Sequence, residues 1–502
     1  MFIIVVLTFL FGIIYLLYLR YTYWSRNGVP GPKPLPFVGN FILNVMGENS
    51  IGEIVTDIYR HYDRYPFFGI YRGLTPILVV KDVNFIKKIL IQDFKHFYDN
   101  DNLVKQTVDP VLGRNPFFCK GEDWKRRRAQ LTGSFTTGKV KNMYIFMDTS
   151  SSRLVQYLEN QTRKSNTVYV NDICARYTLE NVAPCTFGLE AKCFEEKESN
   201  FRRIAEEFLA PGTISKPQQI IMDLFPWVKK YFKLKIVPEK VDQSLKELME
   251  STLKYRKENN IVSHDFFECM AQIMEQDSSF TSLDMVGNAA SFFFDGYETS
   301  TKVMSFLLLD LSLNQDIQDK LRKEVQDAYK KNNNKFTFDV IQDLPYLEAC
   351  LNECLRLRPS LPNMQRTCTE DYTYTSTDPD MIPLKVTVKA GTPVFIPVQA
   401  LQSDPKHFVN PDKFIPERFL DKEEYSFNKI CYLPFGEGPR NCLGKKFGLV
   451  QLKVGIANII NNFKITFNTK TRYPLKYDPH YIIMVAVGGI WLDFHKLDDS
   501  TM

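Results

Sequence analysis

One cysteine among the ten in this 502-residue chain stands where its sulfur could do chemistry. Cys442 lies in the run FGEGPRNCLG, Phe435 to Gly444, whose glycines form a loop that opens onto an apolar helix. A thiol titrates near ~8.5 in water, and a metal ion or a helix N-terminus lowers that value because both favour negative charge on sulfur. The thiolate so formed is an electron-donating metal ligand. A cysteine standing alone is more often an inert, buried side chain, so the surrounding pattern has to decide between the two.

A second group of reactive side chains interrupts an apolar helix. Apolar residues recur densely from Thr281 to about Leu313, and Thr281 with Asp284 makes a capping-box pattern at the start. A helix of more than thirty residues spans roughly 50 Å at 1.5 Å per residue, enough to cross a whole domain. Its middle reads Phe292, Phe293, Phe294, Asp295, Gly296, Tyr297, Glu298, Thr299 and Ser300. Acidic and hydroxyl groups inside a buried apolar helix are costly unless they have partners or a task. Delivering protons into an apolar pocket is such a task; a helix kink with Glu298 in a salt bridge is the structural alternative. Glu353 and Arg356 are three apart on a helix that begins after Asp343 and stops before Pro359, so both project from one face.

Phe435, Gly438, Arg440, Cys442 and Gly444 fit the pattern FxxGxRxCxG at all five fixed positions. At residue frequencies near one in twenty, such a match recurs about once in several million windows. Upstream, and in a fixed order, stand DGYETS (Asp295 to Ser300), ExxR (Glu353, Arg356) and PERF (Pro416 to Phe419). With these motifs the chain resembles the cytochrome P-450 family, and the phrasing YLPFGEGPRNCLG and ETS is most similar to its insect microsomal members that act on foreign lipophiles.

That resemblance implies a mainly α fold with a smaller β portion, the haem lying between the long helix and the cysteine loop. It implies haem b, iron protoporphyrin IX, with the Cys442 thiolate as axial ligand; such ligation favours O–O cleavage, where histidine serves oxygen carriage or peroxidase chemistry. Phe435, Gly438, Arg440 and Gly444 would shape the loop. The two propionates need donors at the pocket edge, and Trp124 with Arg128 (the family's WxxxR), Arg366 and Arg440 are the candidates. Thr299 would donate a hydrogen bond where oxygen binds, with Glu298 relaying protons through water. Glu353 and Arg356, completed by Arg418, would brace the cysteine loop instead of doing chemistry. Asp295 departs from the family, which usually has alanine there. A carboxylate at that place could alter proton supply, select a cationic or hydroxylated substrate, or point away into water.

The elements around these residues suggest one large catalytic unit. No low-complexity linker or internal repeat divides the chain after the first forty residues. The charge balance, 63 basic against 58 acidic residues, gives a modest +5, and the basic residues are dispersed without a nucleic-acid motif. Irregularly spaced cysteines fit a reducing compartment better than a disulfide framework. Cys350 and Cys354, one turn apart, read as small core residues before they read as a metal or redox pair. The six histidines, His61, His96, His264, His407, His480 and His495, include no i, i+4 metal-binding pair.

Met1 to Leu19 is uncharged and long enough to cross a bilayer as a helix. Without a basic n-region or a small-residue cleavage site it reads as an uncleaved anchor. Arg20, Arg26 and Lys33 all follow it, so the remainder faces the cytoplasm and the sequon at Asn160 stays out of reach of lumenal glycosylation. The expected division is a transmembrane anchor at 1–19, a basic, proline-rich hinge at 20–40 whose PGPKPLP run forms a stiff strap, and the catalytic domain at 41–502. By resemblance the membrane is that of the endoplasmic reticulum. Ile221, Leu224, Phe225 and Trp227, followed by lysines, suit a second contact with the lipid bilayer as well as they suit a helix buried against the domain.

No GxGxxG opens a strand-to-helix unit, so electrons come from outside the chain. By resemblance the donor is NADPH–cytochrome reductase, with cytochrome b5 as a second. Lys125, Arg126, Arg127, Lys445 and Lys446 form either a solvated basic face or a docking patch for an acidic donor. The expected reaction is insertion of one oxygen atom of O2 into a lipophilic small molecule, foreign or an endogenous hormone or lipid. The rivals are a haem-thiolate hydroperoxide isomerase or dehydratase, against which Glu298 and Thr299 argue, and a non-catalytic haem or ligand carrier.

Overall fold

The computed structural model describes residues 1–102, 104–195, 199–209, 216–226, 228, 235–263, 265–420 and 423–497. The N-terminal apolar run forms the helix Phe2–Tyr21, and none of its residues is buried. It has the length and composition to cross a membrane. Only Thr22 separates it from the short helix Tyr23–Arg26. There the chain joins the folded body well before residue 41. Trp24 is buried, its indole donating to the Ile70 carbonyl at 3.2 Å. A side chain at Gly69 would overlap the Trp24 ring, so that glycine is what lets the indole lie on the strand. Gly69 in turn donates to the Pro30 carbonyl at 2.8 Å, and Gly39 bridges to Arg72. The proline-rich strap is therefore docked along the sheet edge. Prolines suit that place because they have no N–H to leave unpaired.

The central helix runs over Ser282–Leu313, and the expected capping box is present, with Thr281 and Asp284 bonded reciprocally. Most of its residues are buried, because helices cover it on several sides: chiefly Val170–Phe187, with Phe266–Gln276, Pro345–Leu357 and Lys445–Asn462 also against it. Gly455 lets two of these approach closely, since a Cβ there would overlap Tyr177. Gln451 then pins the cysteine-bearing end to the centre, its Nε2 donating to Ser300 Oγ at 2.6 Å and to the Gly296 carbonyl at 3.1 Å.

The β portion consists of β1 (Phe67–Arg72), β2 (Thr75–Val80), β3 (Thr167–Tyr169), β4 (Met364–Thr367), β5 (Tyr372–Thr375), β6 (Lys385–Val388), β7 (Pro393–Ile396), β8 (Phe463–Phe467) and β9 (Trp491–Lys496). The order β1-β2-β7-β4 makes one sheet, β3-β9-β8 a second and β5-β6 a hairpin. Among the described strands, only β2 and β7 pair in parallel. Arg366 sits on β4 opposite Val394. Of the candidate second membrane contact, Ile221 is exposed and Leu224 buried; Trp227, Lys229 and Lys230 lie outside the described residues.

Candidate active site

The cysteine loop is shaped by glycine. Gly436 and Gly438 take φ values of 68° and 76°, where other residues are strained. A Cβ on Gly438 would also overlap the Leu90 carbonyl oxygen. The chain then turns back so that the Cys442 amide donates to the Phe435 carbonyl at 2.8 Å, and the helix Lys445–Asn462 starts three residues later. Gly438→Ala is expected to cost at least about 1–2 kcal/mol from backbone conformation alone. Its check is a lower haem content after purification, together with a lower melting temperature.

Cys442 is the one exposed cysteine; the other nine are buried. Its surroundings are nevertheless dense enough that burial pushes its thiol upward, while the Gly444 amide and the charges of Arg128 and Lys445 pull down. Both facts hold together if the sulfur opens onto an enclosed cavity and not onto bulk water. Burial and the start of the helix thus act on this sulfur in opposite senses.

Asp295 stands close enough for its charge also to raise the Cys442 thiol. Its side chain is exposed, yet burial raises it to about 6. The helix is uninterrupted past this point. Thr299 Oγ1 donates back to the Asp295 carbonyl at 2.7 Å, and Glu298 pairs with Lys302 at 3.0 Å while its other carboxylate oxygen is buried without a partner among the described residues.

The propionate candidates gather at one edge. Arg440 stacks 4.7 Å above the Trp124 ring, and its buried guanidinium donates to the carbonyls of Tyr98 and Cys119. Arg366 is buried and donates to Asn100 Oδ1 at 2.7 Å. Arg128 clamps Asn441, donating to its carbonyl at 2.8 Å and its side-chain oxygen at 2.7 Å. Burial and the charge of Arg440 lower Arg366 to about 9; burial lowers Arg440 to about 10, with Arg128 adding to the effect. Asp99, 3.8 Å from Arg440, is the one carboxylate among the described residues paired with any of the three. Nε of both Arg366 and Arg440 is buried without a partner among the described residues. A cluster of arginines this poorly neutralised suits a ligand with two carboxylates, and a single enclosed thiol suits iron; the residues present fit a haem.

Behind the loop, Glu353 and Arg356 form a fully buried bidentate pair at 2.7 and 2.9 Å, and Arg418 joins at 3.1 Å. Arg356 also donates to the Gln402 carbonyl at 2.7 Å, while Gln402 Oε1 accepts from the Leu433 amide at 2.8 Å. This chain of bonds ends two residues before Phe435. Arg127 corrects the basic-patch reading: it is buried and bonded to Asp284 at 2.7 Å and to Asp123 at 3.1 Å, so neither solvent nor a partner reaches it. Lys125, Arg126, Lys445 and Lys446 are exposed. A groove of about 800 Å³ beside Asp310, Lys320, Arg358 and Glu417 is lined by neither Cys442 nor the arginines near it, and those four charges pair among themselves.

The cytochrome P450 family model matches residues 29–492. The chain belongs to the cytochrome P450 family. This P450 is similar to cytochrome P450 6j1 of Blattella germanica, 32% identical over 481 residues that cover 96% of this chain and 94% of the relative. It is likewise similar to the probable cytochrome P450 6a23 of Drosophila melanogaster, 32% identical over 488 residues and 95% of each chain. Cytochrome P450 9e2 of Blattella germanica is 28% identical over 510 residues, 95% of this chain and 94% of that one. It is thus a haem-thiolate monooxygenase whose electrons come from a redox partner, as the motifs implied. The sequence did not point to Asp99, Asn100, Gln402 or Asn441: the first three stand in no motif, and Asn441 fills a variable position of the signature between Arg440 and Cys442.

Proposed function

We propose that this P450 inserts one atom of O2 into a lipophilic small molecule, a foreign compound or an endogenous hormone or lipid, with electrons from NADPH passed by NADPH–cytochrome reductase. The observation that carries this reading is the loop thiol of Cys442 within electrostatic reach of Asp295, which stands on the central helix one turn before Glu298 and Thr299. A hydroperoxide isomerase has no use for that acid and hydroxyl.

The cofactor would be haem b, held by Cys442 at the iron and by Trp124, Arg128, Arg366 and Arg440 at the propionates, with Phe435, Gly438 and Gly444 shaping the loop. When bound, it supplies oxygen activation at a thiolate-ligated iron. Lys302 keeps one oxygen of Glu298 occupied, and the free oxygen can take up and release a proton. The Thr299 hydroxyl, donating to Asp295, presents its lone pairs to an incoming water; letting go of that carbonyl frees its own proton. Thr299→Ala is expected to lower product formed per O2 consumed severalfold while O2 uptake continues, measured with an oxygen electrode alongside product analysis.

Residues 1–19 would anchor the protein in the endoplasmic reticulum membrane, 20–40 would connect, and 41–502 would work in the cytoplasm, so Asn160, exposed on the helix Thr137–Thr162, would carry no glycan. Lys125, Arg126, Lys445 and Lys446 would meet the acidic reductase, and cytochrome b5 at the same face. The test uses isotopically labelled O2 with NADPH and reductase. One labelled atom in the product supports the proposal. Product from a lipid hydroperoxide without NADPH supports isomerisation instead, and ligand binding with no product under either condition supports a carrier.

A further inference from the structure

Asp295 has an unusual set of neighbours. Its one hydrogen-bond partner among the described residues is neutral: Asn115 Nδ2 donates to Asp295 Oδ2 at 3.2 Å. The orientation of that amide is forced, because Asn115 Oδ1 accepts from the Phe117 amide at 2.7 Å, which turns the NH2 group toward the carboxylate. Asn115 is itself buried. Among the described residues no cation pairs with Asp295, and the cations of the neighbouring elements are taken up elsewhere. Arg114 and Arg127 are both engaged by Asp284, at 3.0 and 2.7 Å. Lys302 is engaged by Glu298. An enclosed carboxylate normally has a cation or several donors, and this one has a single amide.

It is also accessible from within. The side chain is exposed although it stands in the middle of the central helix, and its charge reaches the Cys442 sulfur. Raised only to about 6, it carries its charge at neutral pH. A charge that is enclosed, reachable and without a counter-ion is an electrostatic complement for a ligand that brings its own.

We infer that Asp295, oriented by Asn115, is a cation subsite in the substrate cavity, selecting lipophiles that carry a positively charged nitrogen. This inference rests on the monooxygenase reading and narrows its substrate class. The apolar body of such a ligand would be held by burial, and its ammonium by a carboxylate in surroundings of low effective dielectric, where a charge pair counts for more than in water. Uncharged lipophiles of the same shape would leave the carboxylate unpaired.

The test compares two probes of one shape on the full-length holoenzyme at pH 8: trimethyl(4-phenylbutyl)ammonium and its uncharged tert-butyl counterpart, (5,5-dimethylhexyl)benzene. The quaternary nitrogen has no lone pair, so it cannot ligate iron and cannot donate a hydrogen bond; it reads charge alone. Dissociation constants come from displacement of a common lipophilic ligand, and taking their ratio cancels partition into detergent. Asp295→Asn keeps the shape and removes the charge, and Asp295→Ala puts in the small residue usual at this position. In each variant the preference for the cation is expected to fall about tenfold relative to wild type. A fall of less than threefold in a haem-replete variant overturns the subsite. Reductase-supported turnover is scored separately. An enzyme that oxidises lipophiles without this preference keeps the monooxygenase assignment and loses the subsite; one with the preference but no oxygen insertion does the reverse.

Discussion

Replacing Cys442 by serine is expected to leave a folded protein that has lost its pigment. The bond that closes the loop runs from the Cys442 backbone amide to the Phe435 carbonyl and does not involve the side chain. The helix that follows begins at Lys445 and keeps its own packing. Serine therefore preserves the loop while taking away the soft, ionisable donor. A serine hydroxyl surrounded by the same burial that already pushes the thiol upward has no means of becoming an anion. Monooxygenation should fall at least about 10³-fold, equivalent to roughly 4 kcal/mol of barrier. The carbon monoxide difference spectrum of the reduced protein should lose its thiolate signature. A serine variant with its haem and an unaltered spectrum would mean that the iron is held elsewhere.

Arg356→Ala is expected to destabilise the protein by about 3–5 kcal/mol, the usual cost of stranding one member of a buried ion pair. Arg356 donates to both carboxylate oxygens of Glu353 and to the carbonyls of Gln402, Pro411 and Lys413. Its loss leaves Glu353 fully buried, with Arg418 and the Ile415 amide as the remaining donors. Because Gln402 also holds the Leu433 amide, the damage travels to the cysteine loop. Haem loss should accompany the drop in urea midpoint. Arg356→Lys should rescue little, since an ammonium cannot reproduce a fork that reaches five acceptors. A variant that keeps its haem and the wild-type midpoint would show that the loop is braced by something else.

The residues proposed for this site stood out because each suits a local chemical need: a thiol for the metal, glycines for two backbone turns, an acid and a hydroxyl in an otherwise apolar helix. The central helix and its cap were readable from spacing for the same reason. What could not be read depends on chain segments that meet only after folding. Arg128 holds Asn441 across 313 positions, and Arg366 meets Asn100 across 266. Neither asparagine stands out in its own neighbourhood. Arg127 shows the opposite failure. In the run KRRR it looks like part of a charged surface, but one helical step turns it inward to the cap of the central helix, where Asp284 already serves Thr281. The departure at Asp295 was visible as an oddity. Its meaning needed the loop around Asn115, which reaches it from 180 residues away.

The burial of Trp24 has a mechanical consequence. With one residue between the apolar helix and the helix that carries this indole, there is almost no slack in which the body could swivel, so any tilt of the N-terminal rod acts as a torque on β1. A rod embedded in a lipid sheet would thus set the bearing of the entire molecule, and a donor diffusing along that sheet would meet the basic face from a narrow range of angles.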